Sequence, residues 1–362
     1  MPLSLLGMSA ARQVALRVVR RVLEQGAYAD RALEGEARRL DPRDRAFAQQ
    51  LVFGTVQRRN TLDHVIDAYV EREPPEIARA ALQLGLFQLL YLDGVADHAA
   101  VGETVELLKG HRASGMVNAV LRKVAREGFE LPSDATPAGA ALRHSHPRWL
   151  VDLWWEWIGP DETRALLAAG NRPAERATRE MNGHVLFQSS ASQLVATIVD
   201  PKPGERVLDL CSAPGNKTTH LADLMGNQGE VVAYERHEGR AAALADRAQQ
   251  LGATIVRVVA DDAAEATGRF DRVLLDPPCS GLGTLSRNPD LRWRMTPKRI
   301  DGLLAEQQRL LEAAERCVTP GGRLVYSICT LNPAEEHLPG EPRRTWPHRD
   351  ATDGFSIVSR DG

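Results

Sequence analysis

A chain of 362 residues that is 43% hydrophobic and 26% charged has room for one to three domains with an ordinary core, which argues against a disordered or fibrous protein. Its 45 basic and 48 acidic side chains leave a net charge of −3, so no basic excess advertises nucleic-acid binding, although a local basic face stays open. The four cysteines contain no CxxC pair, which argues against a disulfide framework or a zinc site. Reduced thiols of a cytoplasmic protein, with no metal, are expected instead.

No apolar run approaches the roughly 20 residues that span a bilayer. The start, MPLSLLGMSAARQVALRVVRRVL, has arginines at helical spacing and reads as an amphipathic helix rather than a signal peptide. No membrane partner is expected, and the protein is read as a cytoplasmic monomer.

Residues 9–130 read as helices almost throughout. Val14, Leu16, Val18, Val19, Val22 and Leu23 form one apolar face that Gly26 ends. The stretch 41–70 opens with Asp41 as a cap and Pro42 in the first turn. Pro74–Pro75 lead into PPEIARAALQLGLFQLLYLDG, and two further helical patterns follow. Five or so helices with short joints imply a bundle. Residues 131–147, rich in Pro, Ala and Ser, read as a linker. In the helical pair that follows, Trp149, Trp154, Trp155 and Trp157 are read as packing anchors, with base stacking as the alternative.

From about residue 204 the pattern changes to short Val/Leu-rich runs at 205–211, 229–235, 253–260, 270–276 and 322–329, separated by helical segments, with a last run at 353–359. Apolar strands alternating with helices imply an α/β fold with a mostly parallel sheet covered on both faces.

The turn after the first strand, VLDLCSAPGNKTTH, opens a helix, the usual place for a nucleoside ligand in such folds. Glu235, 20 residues past Gly215, suits a ribose; Asp261 and Asp276 end the next two strands. Acidic strand tips would repel a polyphosphate, and there is no GxxxxGK[ST]. A neutral or cationic nucleoside cofactor, S-adenosylmethionine, fits better. Solvated loop carboxylates are the plainer alternative.

Cys279 in LLDPPCSG and Cys329 in YSICTLNP end the fourth and fifth strands, which are neighbours in the usual order, so both thiols are expected in one crevice. Cys211 belongs to the cofactor loop, and Cys317 lies on the apolar side of a helix. A thiol beside a methyl donor suggests covalent catalysis at cytosine: addition at C6 makes C5 nucleophilic. Asp276, three residues before Cys279, is placed to assist at N3. The base must leave any stack to reach such a site.

The motifs LDLCSAPGNKTTHLA, LLDPPCSGLGTLSRNPDLRW and YSICTLNPAEE resemble those of the Sun/Fmu-type (RsmB-like) 16S ribosomal RNA cytosine-C5 methyltransferases. DRAFAQQLVFGTVQRR and GMVNAVLRKVA resemble the NusB-like RNA-binding domain that precedes the catalytic domain there. The resemblance implies an all-α NusB-like domain at 1–135, a linker with a shortened helical subdomain at 136–190, and a class I (Rossmann-like) methyltransferase domain at 191–362. It implies Cys329 as nucleophile and Cys279 as the thiol that helps release product, with Asp276 the third catalytic group. Cys211, Ser212, Ala213, Pro214, Gly215, Asn216, Lys217, Glu235, Asp261 and Asp276 would contact S-adenosylmethionine, and small-subunit ribosomal RNA would be the substrate.

Departures from the family pattern are Asn216 for a usual second glycine, Glu235 for the commoner Asp, and short segments at 171–190 and 334–352, the second leaving an open sheet edge. The alternatives are a non-catalytic RNA-binding protein with a degenerate methyltransferase domain, or a methyltransferase acting on tRNA or DNA.

Overall fold

Val14, Val18, Val19 and Val22 are buried along a single helix, Leu5–Gln25, in the computed structural model, which describes residues 5–362 and side chains from residue 10 onward. The first four residues of the amphipathic start lie outside the described residues. Gly26 follows at φ +67°, a left-handed conformation that ends the helix at little cost only for glycine.

Among the described residues seven helices, against the five or so expected, precede residue 128: Leu5–Gln25, Ala29–Glu36, Pro42–Gln57, Arg59–Tyr69, Glu76–Tyr91, Asp97–Glu106 and Ser114–Glu127. The stretch 41–70, with one apolar pattern, is two helices broken at Arg58, whose backbone leaves helical geometry and whose guanidinium lies 4.4 Å from the Tyr91 ring centroid. Asp41 caps as expected, accepting a hydrogen bond from the Asp44 amide.

Residues 131–147 contain a helix, Pro137–Arg143, docked on the helix Arg59–Tyr69 through Asn60 and Thr61, which donate to the Ala141 and Leu142 carbonyls. Helices Arg148–Ile158 and Pro160–Ala169 follow. Only Trp154 of the four tryptophans there is fully buried; Trp149, Trp155 and Trp157 are half-buried.

Two units compose the chain: Met1–Asn171 with Asn288–Arg294, and Arg172–Arg287 with Met295–Gly362. The second holds the strands. β1 (Thr178–Met181) and β2 (His184–Phe187) form a hairpin where the short segment 171–190 lies. The sheet contains β3 (Arg206–Leu210), β4 (Glu230–Tyr234), β5 (Val256–Val259), β6 (Phe270–Leu275), β7 (Val318–Ile328), β8 (Arg343–Thr345) and β9 (Phe355–Asp361).

The strand order is β5-β4-β3-β6-β7-β9-β8, parallel from β5 to β7 and antiparallel at β9 and β8. Strand alternation splits the core. Leu208, Leu210, Val273, Leu275, Leu324 and Tyr326 pack under the helix Pro297–Cys317, whereas Val207, Leu274 and Val325 pack on the other face with residues of the helix Ser190–Val199. This is a doubly wound sheet covered on both sides. The expected edge at β9 is closed by the three-residue β8, so only a very short strand is left at that end, a common device against edge pairing.

Candidate active site

The strand order reverses between β3 and β6, and ligands of doubly wound sheets bind at the carboxyl ends beside such a switch point. Leu210 pairs with Leu275, so Cys211 and Asp276 begin adjacent loops. Leu275 in turn pairs with Tyr326. Cys279 therefore stands four residues, and Cys329 three, beyond one shared rung. Their sulfurs lie 3.4 Å apart as free thiols. Packing against the other sulfur and burial hold the Cys279 thiol well above its ordinary pKa. The Cys279 thiol therefore keeps its proton.

Lys217 supplies a cation beside Asp276. Burial works against its charge, but Asp276 outweighs that and raises the pKa overall, with Cys329 contributing in the same direction. The Lys217 ammonium donates to Asp276 Oδ2 at 2.6 Å. One ammonium is therefore electrostatically linked to both the carboxylate and the second sulfur.

The turn 211–217 has a built shape. Cys211 has φ +64° and Gly215 φ +96°. A Cβ on Gly215 would stand 2.2 Å from Leu244 Cδ1, so glycine is required both by backbone and by space. The Ser212 amide and hydroxyl both donate to the Tyr234 carbonyl, fastening the turn to β4. Asn216 is the first residue of the helix Asn216–Leu224, and its Oδ1 accepts from Arg247 at 2.6 Å. Its side chain is engaged by the helix Glu238–Gln250, so the absent second glycine leaves the turn intact. Burial, then the charges of Asp276 and Asp209, push the Cys211 thiol far up, which makes it inert.

Glu235 is 4% exposed beyond β4, accepting from the His237 amide at 2.9 Å and pairing with Arg240 at 3.3 Å. Asp261 is exposed at the end of β5. A close-approach glycine and acidic strand tips fit a nucleoside whose reactive centre is a sulfonium cation. Cys317, as read, is buried, its thiol donating to the Ala266 carbonyl.

Sequence reasoning missed two carboxylates. Asp209 is buried, and burial above all, with Asp276 adding, raises its pKa to about 7 against the downward pull of the Thr218 hydroxyl. Its position inside an apolar strand was the available signal. Glu335, in the quoted YSICTLNPAEE, is fully buried and bonded to both cysteine loops.

A switch-point crevice with a glycine turn, a buried acid on the neighbouring strand and no phosphate loop defines a Rossmann-like S-adenosylmethionine-dependent methyltransferase. Residues 196–339 match the family described as 16S rRNA methyltransferase RsmB/F, and residues 9–126 match the NusB family. The probable ribosomal RNA small subunit methyltransferase B of Synechocystis is 37% identical over 91% of this chain and 87% of its own. The ribosomal RNA small subunit methyltransferase B of Thermus thermophilus is 34% identical over 90% and 84%. The crystal structure of PH0851 superposes with a TM-score of 0.75 over 99% of both chains at 25% identity. The chain belongs to the RsmB/F family of rRNA methyltransferases, with a NusB-like helical region ahead of the catalytic sheet. Among the described residues no helix is long and apolar enough to cross a membrane.

Proposed function

We propose that this protein methylates C5 of a cytosine in 16S ribosomal RNA through a transient bond between Cys329 and C6. The observation that carries the reading is the 3.4 Å approach of Cys279 to Cys329, with the Lys217–Asp276 pair beside them. Residues 211–217, Glu235, Asp261 and Asp276 would hold S-adenosylmethionine, which when bound supplies an electrophilic methyl group. Asp276 serves both the cofactor side and the base.

Cys329 adds to C6 of the flipped base, forming the S–C6 bond while the C5–C6 π electrons make C5 nucleophilic. Asp276 holds a proton at N3 and stabilises the adduct. Once C5 carries its methyl group, its remaining proton passes to water, the C5–H electron pair re-forms the C5–C6 double bond, and the S–C6 pair returns to Cys329 and frees the base. Cys279, protonated and in contact with that sulfur, assists this release. Lys217 keeps Asp276 oriented and balances charge near the attacking sulfur. The NusB-like helices would bind structured ribosomal RNA.

Cys329→Ala is expected to abolish methylation of 16S rRNA. Cys279→Ala is expected to accumulate an RNA–protein adduct that survives denaturing gel electrophoresis. Adduct accumulation by Cys329→Ala instead would reverse the two roles. Mapping 5-methylcytosine in rRNA from cells with and without the protein tests the target, and methylation confined to tRNA or DNA would refute it.

A further inference from the structure

Glu335 is a fully buried carboxylate with no salt-bridge partner among the described residues. Burying a charge without a cation is costly unless donors replace its water shell. They do so here from both cysteine loops. From the loop after β6, the Ser280 amide donates to Oε2 at 2.9 Å and the Ser280 hydroxyl to Oε1. From the loop after β7, Thr330 Oγ1 and Asn332 Nδ2 donate to Oε1 at 3.4 and 3.1 Å.

Gln307, on the helix Pro297–Cys317, is also buried and donates to both Oε2 at 3.0 Å and the Pro278 carbonyl at 2.9 Å. Its own oxygen faces His337 Nε2 at 3.0 Å, and the Pro278 carbonyl, which can only accept, fixes the amide with its nitrogen toward Glu335. The Tyr326 hydroxyl, from β7, donates to the Glu335 main-chain carbonyl at 2.9 Å. The residues bonded to Glu335 include the immediate neighbours of both thiols: Ser280 follows Cys279, and Thr330 follows Cys329.

A neutral side chain of similar volume would fill this space without the desolvation cost of a carboxylate. What only a carboxylate offers is two acceptor oxygens for donors arriving from two loops at once. We propose that Glu335 is a positioning residue for methyl transfer: it clamps the loops after β6 and β7 together and thereby sets the approach of Cys279 to Cys329. The inference rests on the two-thiol chemistry proposed above, but the spacing itself can be read without turnover.

Phenylarsine oxide gives that reading. Its arsenic exchanges oxygen for two nearby sulfurs, releasing water, with no change of redox state. Wild-type protein is expected to take up one arsenical at the 279/329 pair, by intact mass under native conditions, and Cys279→Ala to lose that uptake. Glu335→Gln keeps the shape but turns an amide nitrogen toward donors. It is expected to slow arsenical uptake at least about tenfold and to lower kcat about 100-fold, the scale of a 1 Å misplacement. KM for RNA and affinity for S-adenosylmethionine are expected to stay within about twofold.

Ser280→Ala removes one donor and is expected to act in the same direction about tenfold more weakly; it decides the matter if Glu335→Gln does not fold. Wild-type kcat and uptake in the variants overturn the proposal. So does a loss of cofactor affinity that parallels the loss of kcat, which marks general loosening. Should Cys279→Ala trap no RNA while Glu335→Gln still loses arsenical uptake, the chemistry falls and the clamp stands.

Discussion

Asp209 shows how one side chain registers its surroundings. It sits within β3, among the apolar residues of both faces, with Thr218 as its hydrogen-bond donor and Asp276 nearby. Its pKa rises from an ordinary 3.8 to about 7, and burial is the main cause. The folded state therefore holds this proton more tightly than the unfolded chain. Stability from this group is intact below about pH 4, falls as pH rises through the interval to about pH 7, and stays reduced above it. The loss is on the order of 4 kcal/mol across that interval. Asp209→Asn is expected to flatten the stability profile between pH 4 and 7 and to be the more stable protein at pH 8, measured by urea unfolding at each pH. A wild-type profile with no downward trend attributable to Asp209 in that range would count against it. Its place in an apolar strand was a signal too weak to reveal this shift, because an acid there can as readily face water as the core. The two thiols were a different matter: their positions beyond adjacent strands could be read from apolar runs, while the contact between sulfurs needed the register Leu275–Tyr326.

Among the elements, the β1–β2 hairpin is the least self-sufficient. A two-stranded hairpin is marginal in water, and its outer residues Val185 and Phe187 are 59% and 71% exposed. It is held by Arg179, buried on the inner face, which donates to Gln188 Oε1 at 2.8 Å, to Thr219 Oγ1 at 2.6 Å and to the Asn216 carbonyl at 3.4 Å. Arg179→Met keeps the stem's packing and removes all three bonds. Limited proteolysis is expected to cut within 178–187 several-fold faster in that variant, with the sheet itself resistant; unchanged cleavage would show that the packing of Met181 and Leu186, with the Asn182 and Gln193 hydrogen bonds to Leu251 and Thr178, suffices to hold the hairpin. The hairpin was illegible because its strands are four residues each and carry no alternation longer than that. The parallel strands, in contrast, were legible from short Val/Leu-rich runs such as Val207–Leu208 and Val273–Leu275, recurring between helical segments as a doubly covered sheet requires.

For the whole molecule, chain order and spatial order part company at Asn288–Arg294, which leaves the catalytic stretch and folds within the helical unit. Arg292 there is fully buried, and burial first, then Arg58, lowers its pKa to about 9. It donates to the Ser145 and Gly170 carbonyls and to Asn171 Oδ1 at 2.9 to 3.0 Å, and to the Gln57 carbonyl at 3.3 Å. Arg292→Ala strands those acceptors, and a loss on the order of 3 kcal/mol is expected in chemical denaturation of the full chain. A loss under 0.5 kcal/mol would mean that the acceptors find other donors.

The class of each part could be read along the chain: a helical front, an α/β back, a nucleoside turn and two cysteines beyond neighbouring strands. Periodicity and loop chemistry are local, and a strand tip declares its own loop. Tertiary structure alone decided which side chains share a hydrogen-bonded centre. The Glu335 clamp joins residues 280, 307 and 330 to 335, and the helical unit takes in residues 288–294. Such meetings depend on strand register and helix placement over tens of residues, where no local pattern in the chain carries the information.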